Sequence, residues 1–91
     1  MRLIIKVLGS GCPRCHRVEE NTREALRVLT AETPDLEVDL EHVTQAGRIM
    51  DYEILATPGL VVNEEVVCAG RIPTVNEVLG WLRDTLEDRP Q

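Results

Sequence analysis

Phenylalanine is absent from this 91-residue chain, and Trp81 and Tyr52 are its only Trp and Tyr. The core must therefore be assembled from Val, Leu and Ile. A chain of this length buries roughly two-thirds of its unfolded surface, enough for an aliphatic core to hold without a metal or disulfide staple. Lysine is nearly missing too: Lys6 stands alone, every other basic residue is arginine, and the formal net charge is −6. That balance argues against nucleic-acid binding, whose affinity comes from Lys and Arg neutralising phosphates. The acidity is better suited to solubility. No run of 18 apolar residues occurs, and no apolar stretch leads into a small-residue cleavage site, so a soluble, cytoplasmic chain is expected. Repeats, linkers and low-complexity stretches are also lacking, so residues 1–91 read as one domain. The three cysteines (Cys12, Cys15 and Cys68) are an odd number, a poor fit to a secreted disulfide framework.

What is present is a clear alternation of patterns. Arg2 to Leu8 is an apolar run of strand length, read as a central strand covered on both faces. Gly9-Ser10-Gly11 turns the chain, and Pro13 suits a first helical turn, where its missing N–H removes no bond. Val18, Thr22, Ala25, Leu26 and Leu29 then share one helical face, and Thr33-Pro34-Asp35 ends the helix. Leu36 to Val43 alternates apolar and acidic residues, the mark of a strand with one wet face near a sheet edge. A second helix is expected over about residues 44–54, with Ala46, Ile49, Met50 and Ile54 inward. Leu60 to Val62 and Val66 to Ala69 flank Asn63-Glu64-Glu65 as an antiparallel hairpin. Thr74-Val75-Asn76-Glu77 is a capping box opening a last helix, whose stripe includes Val78, Leu79 and Leu82. The order is βαβαββα, with the first two strands parallel across a right-handed crossover. The hairpin completes a four-stranded mixed sheet flanked by helices, an α/β fold.

Cys12-Pro13-Arg14-Cys15 sits where a strand, a turn and a helix start meet. The thiolate is the nucleophile of disulfide exchange, and the positive end of a helix favours it. A free thiol has a pKa near 8.5, and Cys-x-x-Cys sites at helix ends fall to about 7 or lower. Arg14 and His16 add positive charge, and two intervening residues let both sulfurs meet across one helical turn. Other readings compete. Zinc would find Cys12, Cys15, His16 and Cys68, but tetrahedral sites usually use two separated ligand pairs. Cys-x-x-Cys-His is also the c-type haem pattern, which needs export and a distal ligand; Met50 is better explained as helix core. Cys68, among β-branched residues, reads as a buried inert thiol, with a soft-metal or arsenic-type role as the alternative. Gly59 is read as keeping the approach to the thiols open, Gly70 as relaxing a strand end, and His42 and Tyr52 as having no role.

Strand, Gly9-Ser10-Gly11-Cys12-Pro13-Arg14-Cys15, helix, then Ala56-Thr57-Pro58 before a hairpin resembles the thioredoxin superfamily. The match is closest to its small, glutaredoxin-sized redox-active disulfide proteins, and it runs from Leu3 to Leu86. The resemblance implies a thioredoxin-like fold and a protein-disulfide oxidoreductase. In it Cys12 would be the attacking thiol, Cys15 the resolving thiol, and Pro58 a cis-proline facing the pair. The Thr57 backbone would pair with an extended substrate, and Gly11, Pro13 and Arg14 would complete the substrate surface. Gly11 stands where the family has Trp, and Pro13-Arg14 where thioredoxins have Gly-Pro. No bound cofactor and no metal are expected, because the Cys12–Cys15 disulfide carries the electrons. Expected partners are a disulfide-bearing protein or small thiol, with glutathione or a reductase as electron donor and neither nucleic acid nor membrane insertion. The alternative is a non-catalytic redox-sensing or soft-metal thiol-binding module.

Overall fold

The β-branched run at the start of the chain pairs on both sides and organises everything else. β1 (Arg2–Leu8) lies parallel to β2 (Glu37–Val43) and antiparallel to β3 (Gly59–Val62), which pairs antiparallel with β4 (Glu65–Ala69). The strand order is β2-β1-β3-β4. The helices are α1 (Pro13–Glu32), α2 (Ala46–Met50) and α3 (Val75–Glu87). This computed structural model describes residues 2–9, 13–54 and 56–87. Gly11 and Cys12, the Ser10 between them and Gly9, and the Arg89-Pro90-Gln91 tail expected to fray therefore lie outside the described residues.

Alternation along β1 sends Leu3, Ile5 and Val7 to one face. There they meet Val18, Ala25 and Leu29 of α1 and Val78, Leu79 and Leu82 of α3, the main core. At roughly 25 cal/mol per Å² of apolar surface, each such Val, Leu or Ile side chain contributes about 1.5–3 kcal/mol when fully buried. Thr22, the polar member of the α1 stripe, is fully buried but donates its hydroxyl to the Val18 carbonyl at 2.7 Å. The opposite sheet face is covered at one end only, where Leu8, Val43 and Val61 pack under Ile49, Tyr52 and Ile54.

Two expectations need correction. β1 is central but not covered throughout, since Ile4 is 37% exposed on the second face. The second helix is one short piece rather than a run over residues 44–54. Ala46 is exposed and Met50 is 73% exposed, while only Ile49 and Ile54 turn inward. Five residues present too narrow a face to bury four apolar side chains. The β2 edge position and its wet acidic residues are as read. The hairpin closes with Asn63 at φ 49° and Glu64 at φ 68°, the backbone of a two-residue primed turn. Asn63 makes this possible by bonding Ile4 twice: its N–H donates to the Ile4 carbonyl, and its Oδ1 accepts from the Ile4 N–H, both at 2.8 Å. Tyr52 also has a structural place. Its hydroxyl accepts from Lys6 Nζ at 2.8 Å and donates to Glu64 at 3.0 Å. That hydroxyl first, and then Glu64, raises the Lys6 ammonium above its ordinary pKa.

Candidate active site

Parallel pairing of β1 with β2 brings the C-terminal ends of both strands to the end of the sheet where α1 begins. The Gly9 N–H donates to the Val43 carbonyl at 3.0 Å, holding those two strand ends together. α1 begins at Pro13, as its fixed φ favours, and Cys15 in its first turn is fully buried. The Cys15 Sγ occupies the space that a side chain on Gly9 would need: a Cβ built there overlaps the sulfur and comes within 3.9 Å of the Pro58 Cα. Gly9, Cys15 and Pro58 thus converge, and only glycine admits the close approach.

The Thr57–Pro58 bond is cis, as the family resemblance implied. Pro58 is buried, while Ala56 and Thr57 are exposed. The Thr57 N–H and C=O carry no hydrogen bond to any described residue. The Pro58 carbonyl is held by the Gly70 N–H at 2.8 Å. Gly70 has φ +84°, a conformation that favours glycine, and its carbonyl in turn accepts from Arg14 Nη2 at 2.9 Å. A chain of two hydrogen bonds therefore links the α1 start to the proline loop through Gly70. Gly70, read as a relaxed strand end, is the middle of that link. Gly59 does not keep an approach open: it is buried, and its open side is taken by Ile54 and Leu8.

On the flank towards β2, the exposed His16 stands edge-on to His42, ring centroids 6.1 Å apart. His42 Nδ1 lies 3.2 Å from Glu19 Oε1, and its buried Nε2 has no hydrogen-bond partner among the described residues. Arg23 binds the same Glu19 at 2.8 Å and, with His42 as a lesser cause, holds its carboxyl below the ordinary range. Cys68 sits apart in β4, its Sγ directed at the Arg71 carbonyl at 3.9 Å, and burial raises its pKa. It is a buried thiol, as the sequence implied. Among the described residues no group of three His, Cys, Asp or Glu side chains is placed to share a metal ion.

The structure thus brings Cys15, Pro13, Arg14, Thr57 and Pro58 to one end of the molecule. Gly9, Gly70, Glu19 and His42 are additions. Gly9 and His42 were accessible from the parallel pairing, which sets Val7 opposite His42; Gly70 carried no local signal beyond being a glycine.

A family model described as a thioredoxin domain matches residues 3–83. The protein named thioredoxin from Methanocaldococcus jannaschii is 29% identical over 87 residues, covering 96% of this chain and 94% of the relative. A second protein of that name, from Methanothermobacter thermautotrophicus, is 30% identical over 74 residues, covering 81% and 90%. No described helix is long and apolar enough to cross a membrane. Likeness across nearly the whole length, on a mixed sheet whose thiol-bearing helix faces a cis-proline, has one reading: the chain belongs to the thioredoxin superfamily, with that family's thiol–disulfide oxidoreductase type of chemistry.

Proposed function

We propose that this chain is a protein-disulfide oxidoreductase working through Cys12 and Cys15. The Cys12 thiolate attacks one sulfur of a substrate disulfide, forming a mixed disulfide, and the other substrate sulfur leaves as a thiolate that takes up a proton. Cys15 then loses its proton and attacks the Cys12 sulfur. That step closes the Cys12–Cys15 disulfide and releases the second substrate thiol. Two electrons pass from the pair to the substrate, and glutathione or a reductase restores the dithiol. The two sulfurs carry the electrons, so the cycle requires no bound cofactor, and a reducing compartment such as the cytoplasm suits it. Gly11, Pro13, Arg14, Thr57 and Pro58 form the docking surface, with the Thr57 backbone pairing to an extended substrate strand.

One observation carries this reading. The buried Cys15 sulfur lies against Gly9, close to Pro58, in the first turn of α1, which supports a resolving role for it. The test is a pair of serine variants incubated with a peptide disulfide. Cys15→Ser should accumulate a mixed disulfide through Cys12, seen by intact-mass measurement. Cys12→Ser should trap nothing, and both should lose turnover by on the order of 100-fold or more. Equal loss of zinc or arsenite binding in both, with no trapped adduct, would move the assignment to the metal-binding module. The reduction potential then sets the direction of flow: about −270 mV marks a reductant and about −120 mV an oxidant.

A further inference from the structure

Among the described residues, every Lys and Arg except Arg14 and Arg17 holds a carboxylate. The two exceptions are three residues apart on the first turns of α1, beside Cys15, and both are exposed. Stability does not explain that placement. Cations at a helix N-terminus oppose the macrodipole, and like charges at this spacing repel. The first turn carries no acidic residue to offset them.

Nor do neighbouring acids neutralise them. Glu20, within one turn of Arg17, makes no bond to it, Glu19 is held by Arg23 and His42, and Glu77 is held by Arg71. Arg14 spends one donor on the Gly70 carbonyl, which fixes its guanidinium two hydrogen bonds from Pro58. Its remaining donors, and all of those on Arg17, are available for bidentate contact with carboxylates. Asn21, one turn on from Arg17, donates to the Pro73 carbonyl at 2.8 Å, so this helix stripe runs alongside the 70–73 segment.

Resting on the thiol–disulfide reading above, we propose that Arg14 and Arg17 select the substrate: an extended protein segment with Asp or Glu beside its disulfide. The unbonded Thr57 backbone favours an extended chain over a small molecule, and the two arginines supply the complementary charge. The rest of the surface is net acidic, so at physiological salt, with screening over about 8 Å, an acidic segment is attracted only where these arginines lie.

The experiment uses the full reduced chain and three peptide disulfides identical except for flanking Glu, Gln or Lys, with oxidised glutathione as a fourth substrate. Second-order reduction rates are measured at low salt and at high salt. The Glu peptide should be reduced about tenfold faster than the Gln peptide at low salt, with the Lys peptide slowest and the spread collapsing at high salt. Arg17→Gln should cut the Glu/Gln ratio several-fold, and Arg17→Lys should keep most of it. Equal rates for Glu and Gln peptides, or a ratio unchanged in Arg17→Gln, would overturn the proposal. So would oxidised glutathione matching the Glu peptide in both rate and dependence on Arg17. If the Gln peptide is reduced, the parent reading stands whatever the ratio; if no substrate is reduced, both readings fall.

Discussion

α1 and α3 lie side by side on the same sheet face but begin in opposite ways. α3 opens on a capping box: the Glu77 N–H donates to Thr74 Oγ1 at 3.1 Å, and the Thr74 N–H donates to Glu77 Oε1 at 2.9 Å. Arg71 adds two bonds of 2.9 Å to the same carboxylate, and with it as the leading cause the Glu77 pKa falls to about 2. α1 opens on proline, arginine and a buried sulfur, with no carboxylate in its first turn. One helix start is satisfied by its own side chains. The other has no acidic residue in its first turn and places cations where stability alone would place acids. The contrast separates the part of this small fold that holds it together from the part that carries the proposed thiol chemistry.

The largest expected effect comes from filling the close approach at the α1 start. Gly9→Ala drives a methyl into the Cys15 sulfur, and overpacking of this kind costs about 1–3 kcal/mol. Urea unfolding of the reduced protein would show it, and the Cys15→Ser variant should tolerate the same alanine better, because oxygen is smaller than sulfur. At the α3 start, Thr74→Ala removes a cap and should cost about 1 kcal/mol while leaving disulfide reduction unchanged. A loss of activity there would erase the division between the two helix starts.

The pH dependence sharpens the same division. Glu77 has a depressed folded-state pKa, so its contribution is complete above about 4.5, the ordinary carboxylate value, and is lost as pH falls through about 2. The stability gap between wild type and Glu77→Gln should therefore be constant from pH 7 to 5 and close progressively below that. The smallest effect runs the other way. Arg17→Glu replaces a like-charge pair with an attractive one and should raise stability by about 0.3 kcal/mol, with loss of preference for acidic peptides. A more stable helix start with unchanged selectivity would break the comparison.

Much of the site was readable because its signals are local. A strand ending in glycine, a Cys-x-x-Cys with proline inside, a Thr-Pro before a hairpin and Thr74-x-x-Glu77 each express physics confined to a few neighbouring residues. The second helix was over-read because apolar spacing around Ile49 and Met50 does not reveal how much sheet face remains to be covered. Ile4 was misplaced for the same reason. Gly70 was undervalued because its importance lies in two partners, Pro58 and Arg14, 12 and 56 residues away in sequence.

The amino-acid order by itself determined the βαβαββα succession, the thiol-bearing helix start and the cap of the last helix, because hydrophobic period, proline geometry and capping act within a turn or a strand. Only the folded molecule decided that Gly9 must lack a side chain, that Gly70 joins the proline loop to Arg14, and that, among the described residues, Arg14 and Arg17 remain without carboxylates while the other Lys and Arg are paired. Those facts depend on which distant groups come within about 3–4 Å, and that is fixed by strand pairing and packing rather than by neighbours in the chain.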